Sequence, residues 1–185
     1  MQMAPQTSTK LTYEDYAALP NDGKRYEIFD GELYVNPAPN MKHSLVTGNL
    51  YRALWNFVHE HRLGYVFFAP FDVVLSDIDV AEPDVLFVSN ERKHLLTKLN
   101  LRGAPDLAIE VLSPGTRSYD QTVKFKRYGL LGVAEYWIVD PGEEWVKIYR
   151  STGDAFASVE VSDPITSPLL PGLALPLSEV FATDG

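Results

Sequence analysis

The sequence predicts an α/β (α+β) domain, a mixed β-sheet flanked by helices with a β-hairpin near each end. Three observations carry this. An apolar repeat at i, i+3, i+4 and i+7 runs through residues 40–62, as a long amphipathic helix requires. Short apolar runs such as "LAIEVL" at 107–112, suited to a sheet interior, are separated by helical patterns. Asp30-Gly31 and Thr152-Gly153-Asp154 each join two strand-like runs, the residue types of tight hairpin turns.

Taken in order, residues 1–10 read as a flexible tail and residues 11–185 as one domain. A short helix from about Thr12 to Ala18 is capped by Thr12 and stopped by "LPNDGK". "RYEIFDGELYVNP" forms the first hairpin. The long helix places Val46, Leu50, Ala53, Leu54, Phe57 and Val58 on one side and ends at Gly64. Strands follow at about 65–69, 71–76 and 84–89, then a short helix near 91–98 and the strand at 106–112. A second helix occupies 117–130, closed by Gly129 and Gly132. "AEYWIVD" is the next strand, and "WVKIYR" pairs with "AFASVEV" in the second hairpin. The remaining tail is proline-rich, with Pro164, Pro168, Pro171 and Pro176.

Composition narrows the function classes. The chain has 185 residues, 45% hydrophobic and 12% aromatic, enough for a substantial core. It has no cysteine, which excludes disulfides, thiolate zinc sites and cysteine nucleophiles. The first ten residues hold no apolar run that would make a signal peptide. No stretch approaches the roughly 20 apolar residues of a membrane helix, so no membrane partner is expected and a cytoplasmic location fits. The net charge of −9 argues against nucleic-acid binding by overall charge, since phosphate contacts need clustered Lys and Arg. It leaves room for a nuclease whose carboxylates hold divalent ions.

Two acids interrupt the strand "APDLAIEVLSP". Side chains alternate along a strand, so Asp106, Ala108, Glu110 and Leu112 share one face. Four residues at ~3.3 Å each separate Asp106 from Glu110 by about 13 Å, too far for one ion. A partner for Glu110 must therefore come from a neighbouring strand, about 4.8 Å away. Asp84 in "EPDVLFVS" is the candidate, because it also heads an apolar run. Two such carboxylates can share a hard divalent cation. Against this, Pro-Asp commonly opens a strand, a sufficient account of Asp106 and an equal alternative for Asp84. For Glu110 the competing reading is a buried salt bridge to Lys or Arg.

The helix after Glu110 offers a cation. Gln121, Lys124 and Tyr128 fall at i, i+3 and i+7, one stripe, with Phe125 beside it. Lys126 and Arg127 are expected to meet solvent. A lysine on the inward stripe could orient a water or offset charge developing on a phosphate; a snorkelling surface lysine is the alternative.

"EPDV", "PDLAIEVLSP" and "KFKRYGLLGVAEYWIVDP", preceded by "RYEIFDGELY" and "NMKHSLVTGNL", resemble the Uma-type endonucleases, a bacterial restriction-endonuclease-like family common in cyanobacteria. The resemblance runs from about Thr12 to Phe181. It implies the PD-(D/E)XK nuclease fold, a restriction-endonuclease-like mixed sheet flanked by helices. Asp84 then matches the PD aspartate and Glu110 the second acid, the pair holding Mg2+ or Mn2+. The superfamily places a lysine two residues after that acid, where this chain has Leu112; in this family Lys124 of the following helix matches instead. Glu27 is preferred over Glu32 as an additional acid, His43 is given a structural or secondary role, and Gln121 is placed behind the site.

Two functions follow. One is a metal-dependent endonuclease acting on DNA, with catalytic Asp84, Glu110 and Lys124. The other is a non-catalytic nucleic-acid-binding or assembly module that keeps the fold. Tyr136, Trp137, Trp145 and Tyr149 exceed what one small sheet face needs, which suggests a homodimer.

Overall fold

The computed structural model describes residues 9–183. Of the expected tail, residues 1–8 lie outside the described residues, and Lys10 is tied to the first hairpin through Asp30 at 2.6 Å. Helix α1 (Tyr13–Ala17) begins with a capping box, Thr12 and Asp15 each satisfying the other's backbone N–H. Strands β1 (Arg25–Phe29) and β2 (Glu32–Asn36) form the first hairpin. Asp30 and Gly31 turn it with φ of 52° and 77°, the left-handed pair that matches strand twist.

Helix α2 (Met41–His61) is capped by Asn40, whose side chain accepts from the His43 N–H at 2.9 Å. It ends at Arg62 in the left-handed conformation, two residues before the expected glycine. Strands β3 (Gly64–Phe68), β4 (Val73–Ser76), β5 (Asp79–Ala81), β6 (Val85–Ser89), β7 (Leu101–Arg102) and β8 (Leu107–Val111) follow. The expected helix near 91–98 is a single 3-10 turn, Lys93–Leu95. Helix α3 (Arg117–Tyr119) passes through a π-helical turn, Asp120–Lys124, into α4 (Phe125–Leu130). Strands β9 (Glu135–Asp140), β10 (Trp145–Ser151) and β11 (Phe156–Val159) build the second hairpin region. The proline-rich tail adds β12 (Ile165–Ser167), β13 (Leu170–Leu175) and helix α5 (Leu177–Val180).

The fold is mixed α+β, with mixed sheets flanked by helices. The strands divide between two principal sheets, of order β2-β1-β5-β4-β7 and β11-β10-β9-β8-β6-β3, where one sheet was expected. The division is made by β5 and β7, of three and two residues. Strands that short show no periodicity in a sequence. Within the six-stranded sheet only β8 and β9 run parallel, and the helical crossover between them carries residues 117–130.

Side-chain alternation gives the six-stranded sheet two apolar faces. Val85, Phe87, Leu107, Ile109 and Trp137 meet Val46, Leu50, Leu54 and Val58 of α2. Leu86, Ala108, Tyr136 and Ile138 face the other way, toward Tyr128 of α4 and Phe29 and Val73 of the five-stranded sheet. Tyr136 and Trp137 are fully buried in these cores, and Trp145 and Tyr149 pack at their margin. The aromatic surplus is therefore core, which removes the reason for expecting a homodimer. Among the described residues no helix is long and apolar enough to cross a membrane.

Candidate active site

The register of β6 and β8 sets Val85 opposite Ile109. One step further places Asp84 opposite Glu110, on the face of Leu86 and Ala108 that looks toward the second sheet and α4. Asp106, by contrast, accepts from the Ser89 N–H at 2.7 Å and pairs with Arg92 at 3.3 Å. It secures the strand end, as the structural reading expected.

Asp84 is held as an anion from three directions. The Val111 N–H donates to Oδ2 at 2.9 Å, His43 Nε2 lies 3.2 Å from the same oxygen, and Arg25 Nη1 donates to Oδ1 at 3.3 Å. Burial acts to raise its proton affinity, but the His43 hydrogen bond and the charges of His43, Arg25 and Lys124 outweigh it. Its carboxyl lies below the ordinary aspartate value. Glu110 differs. Tyr128 Oη donates to Oε1 at 2.8 Å and Lys124 Nζ lies 2.9 Å from that oxygen. Burial dominates, Lys124 opposes it, and Asp120, Asp84 and Glu27 add repulsion, so Glu110 is pushed well above the glutamate range.

Lys124 sits among three acids, 2.9 Å from Glu110, 3.0 Å from Glu27 and 3.4 Å from Asp120. Burial alone would lower its value, but Glu110, Glu27 and Asp120 raise it well above that of a free lysine, so it is a fixed cation. Asp120, Lys124 and Tyr128 fall at i, i+4 and i+8, one stripe of this helical segment, and Asp120–Lys124 form its π-helical turn. Gln121 is exposed and takes no part in the site, a correction: Asp120, four residues before Lys124, is the buried neighbour instead. Lys126 is exposed as expected. Arg127 is not in free solvent, because it forms two bonds to Asp79 at 2.8 and 2.5 Å.

Glu27 is fully buried on β1, with Oε1 accepting from the Glu82 N–H at 2.8 Å and Oε2 from Asn36 at 2.8 Å and Lys124. Glu32 is exposed. Sequence reasoning passed over Arg25, whose Nε pairs with Glu82 at 3.0 Å while Nη1 reaches Asp84. Alternation along β1 was the available signal, since Arg25, Glu27 and Phe29 share a face. Asp120 was also missed, although Asp120 and Lys124 are an i, i+4 pair.

Five carboxylates, Glu27, Glu82, Asp84, Glu110 and Asp120, thus surround two permanent cations, Arg25 and Lys124. Between Asp84, Glu110, Asp120 and Lys124 is a cavity of about 20 Å3, enough for one water-sized species. The donor set is oxygen-rich and short of positive charge, and Asp120 Oδ1 is buried without a hydrogen-bond partner. These features fit a hard divalent cation. Among the described residues no three His, Asp or Glu side chains converge as a complete cage. Mg2+ typically needs only one or two carboxylates, with water and phosphate supplying the rest.

A carboxylate–lysine site beside two interior strands of a mixed sheet flanked by helices is an arrangement that fits a nuclease-like protein. The family model "Putative restriction endonuclease" (Uma2) matches residues 13–178, and the chain belongs to that family. Among solved structures, one described as a "putative nuclease belonging to DUF820" from Anabaena variabilis ATCC 29413 superposes with a TM-score of 0.77. The two are 22% identical over 92% of this chain and 97% of the other, a likeness that shows the fold. Comparison with curated proteins finds no match. Family membership supports a nuclease-like function.

Proposed function

We propose that the protein is a Mg2+- or Mn2+-dependent endonuclease that hydrolyses DNA phosphodiester bonds, with Asp84, Glu110 and Lys124 as its catalytic residues. The observation that carries this reading is the meeting of Asp84, Glu110 and Lys124 at one charge-deficient cavity, with Lys124 2.9 Å from Glu110. Asp84 and Glu110 would hold the ion, which when bound supplies positive charge to the scissile phosphate and lowers the pKa of a nearby water. Hydrolysis joins the water oxygen to phosphorus and breaks the bond to the leaving sugar oxygen; one water proton ends on that oxygen by way of solvent.

The chain's own residues divide the remaining work. Lys124 is a fixed cation, so its part is to offset charge on the phosphate rather than to accept a proton. Glu27 has both oxygens engaged and holds Lys124 in place. His43 and Arg25 steady Asp84. A cleft of about 280 Å3 opens beside Asp84, sharing Arg25 and His43 with the cavity and walled by Ser44, Thr47 and Gly48.

Purified protein should nick supercoiled DNA with Mg2+ or Mn2+ and stop in EDTA. Asp84→Asn and Glu110→Gln should each abolish nicking while circular dichroism shows an intact fold. A wild type that binds the metal yet cleaves neither DNA nor RNA at low salt would instead make the protein a non-catalytic binding module.

A further inference from the structure

We infer that Asp120 is a water-holding residue of this site: its carboxylate fixes, in the cavity it shares with Glu110 and Lys124, the water molecule consumed in hydrolysis. The inference rests on the nuclease reading and goes beyond it, since neither the strand acids nor the helix stripe assigns Asp120 a part.

Three observations converge on it. Asp120 is 2% exposed, and its Oδ1 has no hydrogen-bond partner. Lys124 Nζ at 3.4 Å supplies charge to that oxygen but no hydrogen bond. Buried polar atoms are nearly always bonded, to ordered water where no protein group serves. The cavity beside it, about 20 Å3, exceeds the roughly 10–15 Å3 one water needs. Its walls include Glu110, Ser113, Thr116 and Lys124, so the two to four polar partners of a typical buried water are at hand. Finally, Asp120 and Lys124 are the buried ends of a π-helical turn, and such turns recur at functional sites.

The other acid near Lys124 cannot take this part. Both Glu27 oxygens are occupied, by Asn36 and Lys124 on one and the Glu82 N–H on the other, and Glu27 does not line the cavity. Asp120 is therefore the third cavity-facing carboxylate, beside Asp84 and Glu110. Burial, opposed by Lys124, also raises its proton affinity, consistent with an acceptor that gains from a donor in the cavity.

The test uses the full chain with Mg2+ on supercoiled plasmid, comparing wild type, Asp120→Asn and Asp120→Ala. Misplacing the water should lower kcat by about 100-fold and leave KM within about threefold. A high-resolution crystal structure of the wild type should show ordered solvent within about 3.2 Å of Asp120 Oδ1. Asp120→Asn, which keeps the shape, decides the matter if Asp120→Ala does not fold. Cleavage by wild type with unchanged kcat in Asp120→Asn would overturn this inference alone, as would a cavity without solvent. A wild type that cleaves nothing would overturn the nuclease reading and this inference together.

Discussion

Asp79 and Glu110 are both buried acids on sheet strands, and the protein treats them in opposite ways. Asp79, at the turn end of the five-stranded sheet, receives Arg127 Nε at 2.8 Å and Nη2 at 2.5 Å, Ser76 Oγ at 2.5 Å and the Asp30 N–H at 3.0 Å. Its two oxygens are saturated by donors that serve no other buried acid. Glu135 is treated similarly, with Trp137 Nε1 and Arg150 Nε each at 2.7 Å. Glu110 instead shares Lys124 with Glu27 and Asp120. A buried acid that is fully paired serves the fold. A group of acids with too few cations pays a desolvation penalty that the fold alone does not offset, and an incoming ion or phosphate site is the natural remedy.

The sharpest way to break this comparison is at Asp79. Asp79→Ala leaves Arg127 with only Asp30, 3.8 Å away and half exposed. Removing one partner of a buried pair should cost about 3 kcal/mol. That corresponds to a fall of roughly 6–12 °C in Tm for a chain of this size. A Tm within two degrees of wild type would show that saturation is not what holds that corner.

The two site acids themselves should part company in metal-free protein. Asp84, held low by His43, Arg25 and Lys124 against its burial, contributes stability that is present above its ordinary value of 3.8 and is lost as pH falls through its lower folded value. Asp84→Asn should therefore cost about 1–2 kcal/mol at neutral pH. Glu110, raised chiefly by burial, works in the other direction. Above its ordinary value of 4.5 the folded protein holds a proton that the unfolded chain has lost, so stability falls as pH rises. Asp120 and Glu82, raised for the same first reason, add to that slope. Each such group contributes at most about 1.4 kcal/mol per pH unit. Glu110→Gln should flatten the fall in EDTA and cost less than about 1 kcal/mol at neutral pH, since a Gln oxygen still accepts from Tyr128. Urea midpoints between pH 5 and 8 check this, and superimposed wild-type and Glu110→Gln slopes would refute it.

The same contrast explains what could be read in advance. The long helix and the first hairpin were legible because each sustains one period over five or more residues, and strands β6, β8 and β9 because each is a short, nearly continuous apolar run. Strands β5 and β7 were not, being held by neighbours rather than by any pattern of their own. Asp84 and Glu110 stood out as acids in apolar strands, and Lys124 as a lysine on an inward stripe. Gln121 was misread for Asp120 because the i, i+3 neighbour of Lys124 was followed rather than the i, i+4 neighbour. Arg25 was passed over, though its alternation with Glu27 and Phe29 pointed inward. Arg127 looked like a solvent-facing cation because its partner, Asp79, lies 48 residues away in the chain.

The central claim is that the charge shortfall around Glu110 is a divalent-cation site, whereas the saturated acids are not. Calorimetric titration with Mn2+ at pH 8 tests this most directly, on wild type, Asp84→Asn, Glu110→Gln and Asp106→Asn. Asp106 is the control, a buried acid just before the same strand whose partners are Ser89 and Arg92. The account predicts that wild type and Asp106→Asn bind Mn2+ alike and that Asp84→Asn and Glu110→Gln lose the binding. Equal binding by all four proteins, or binding by none, would contradict it.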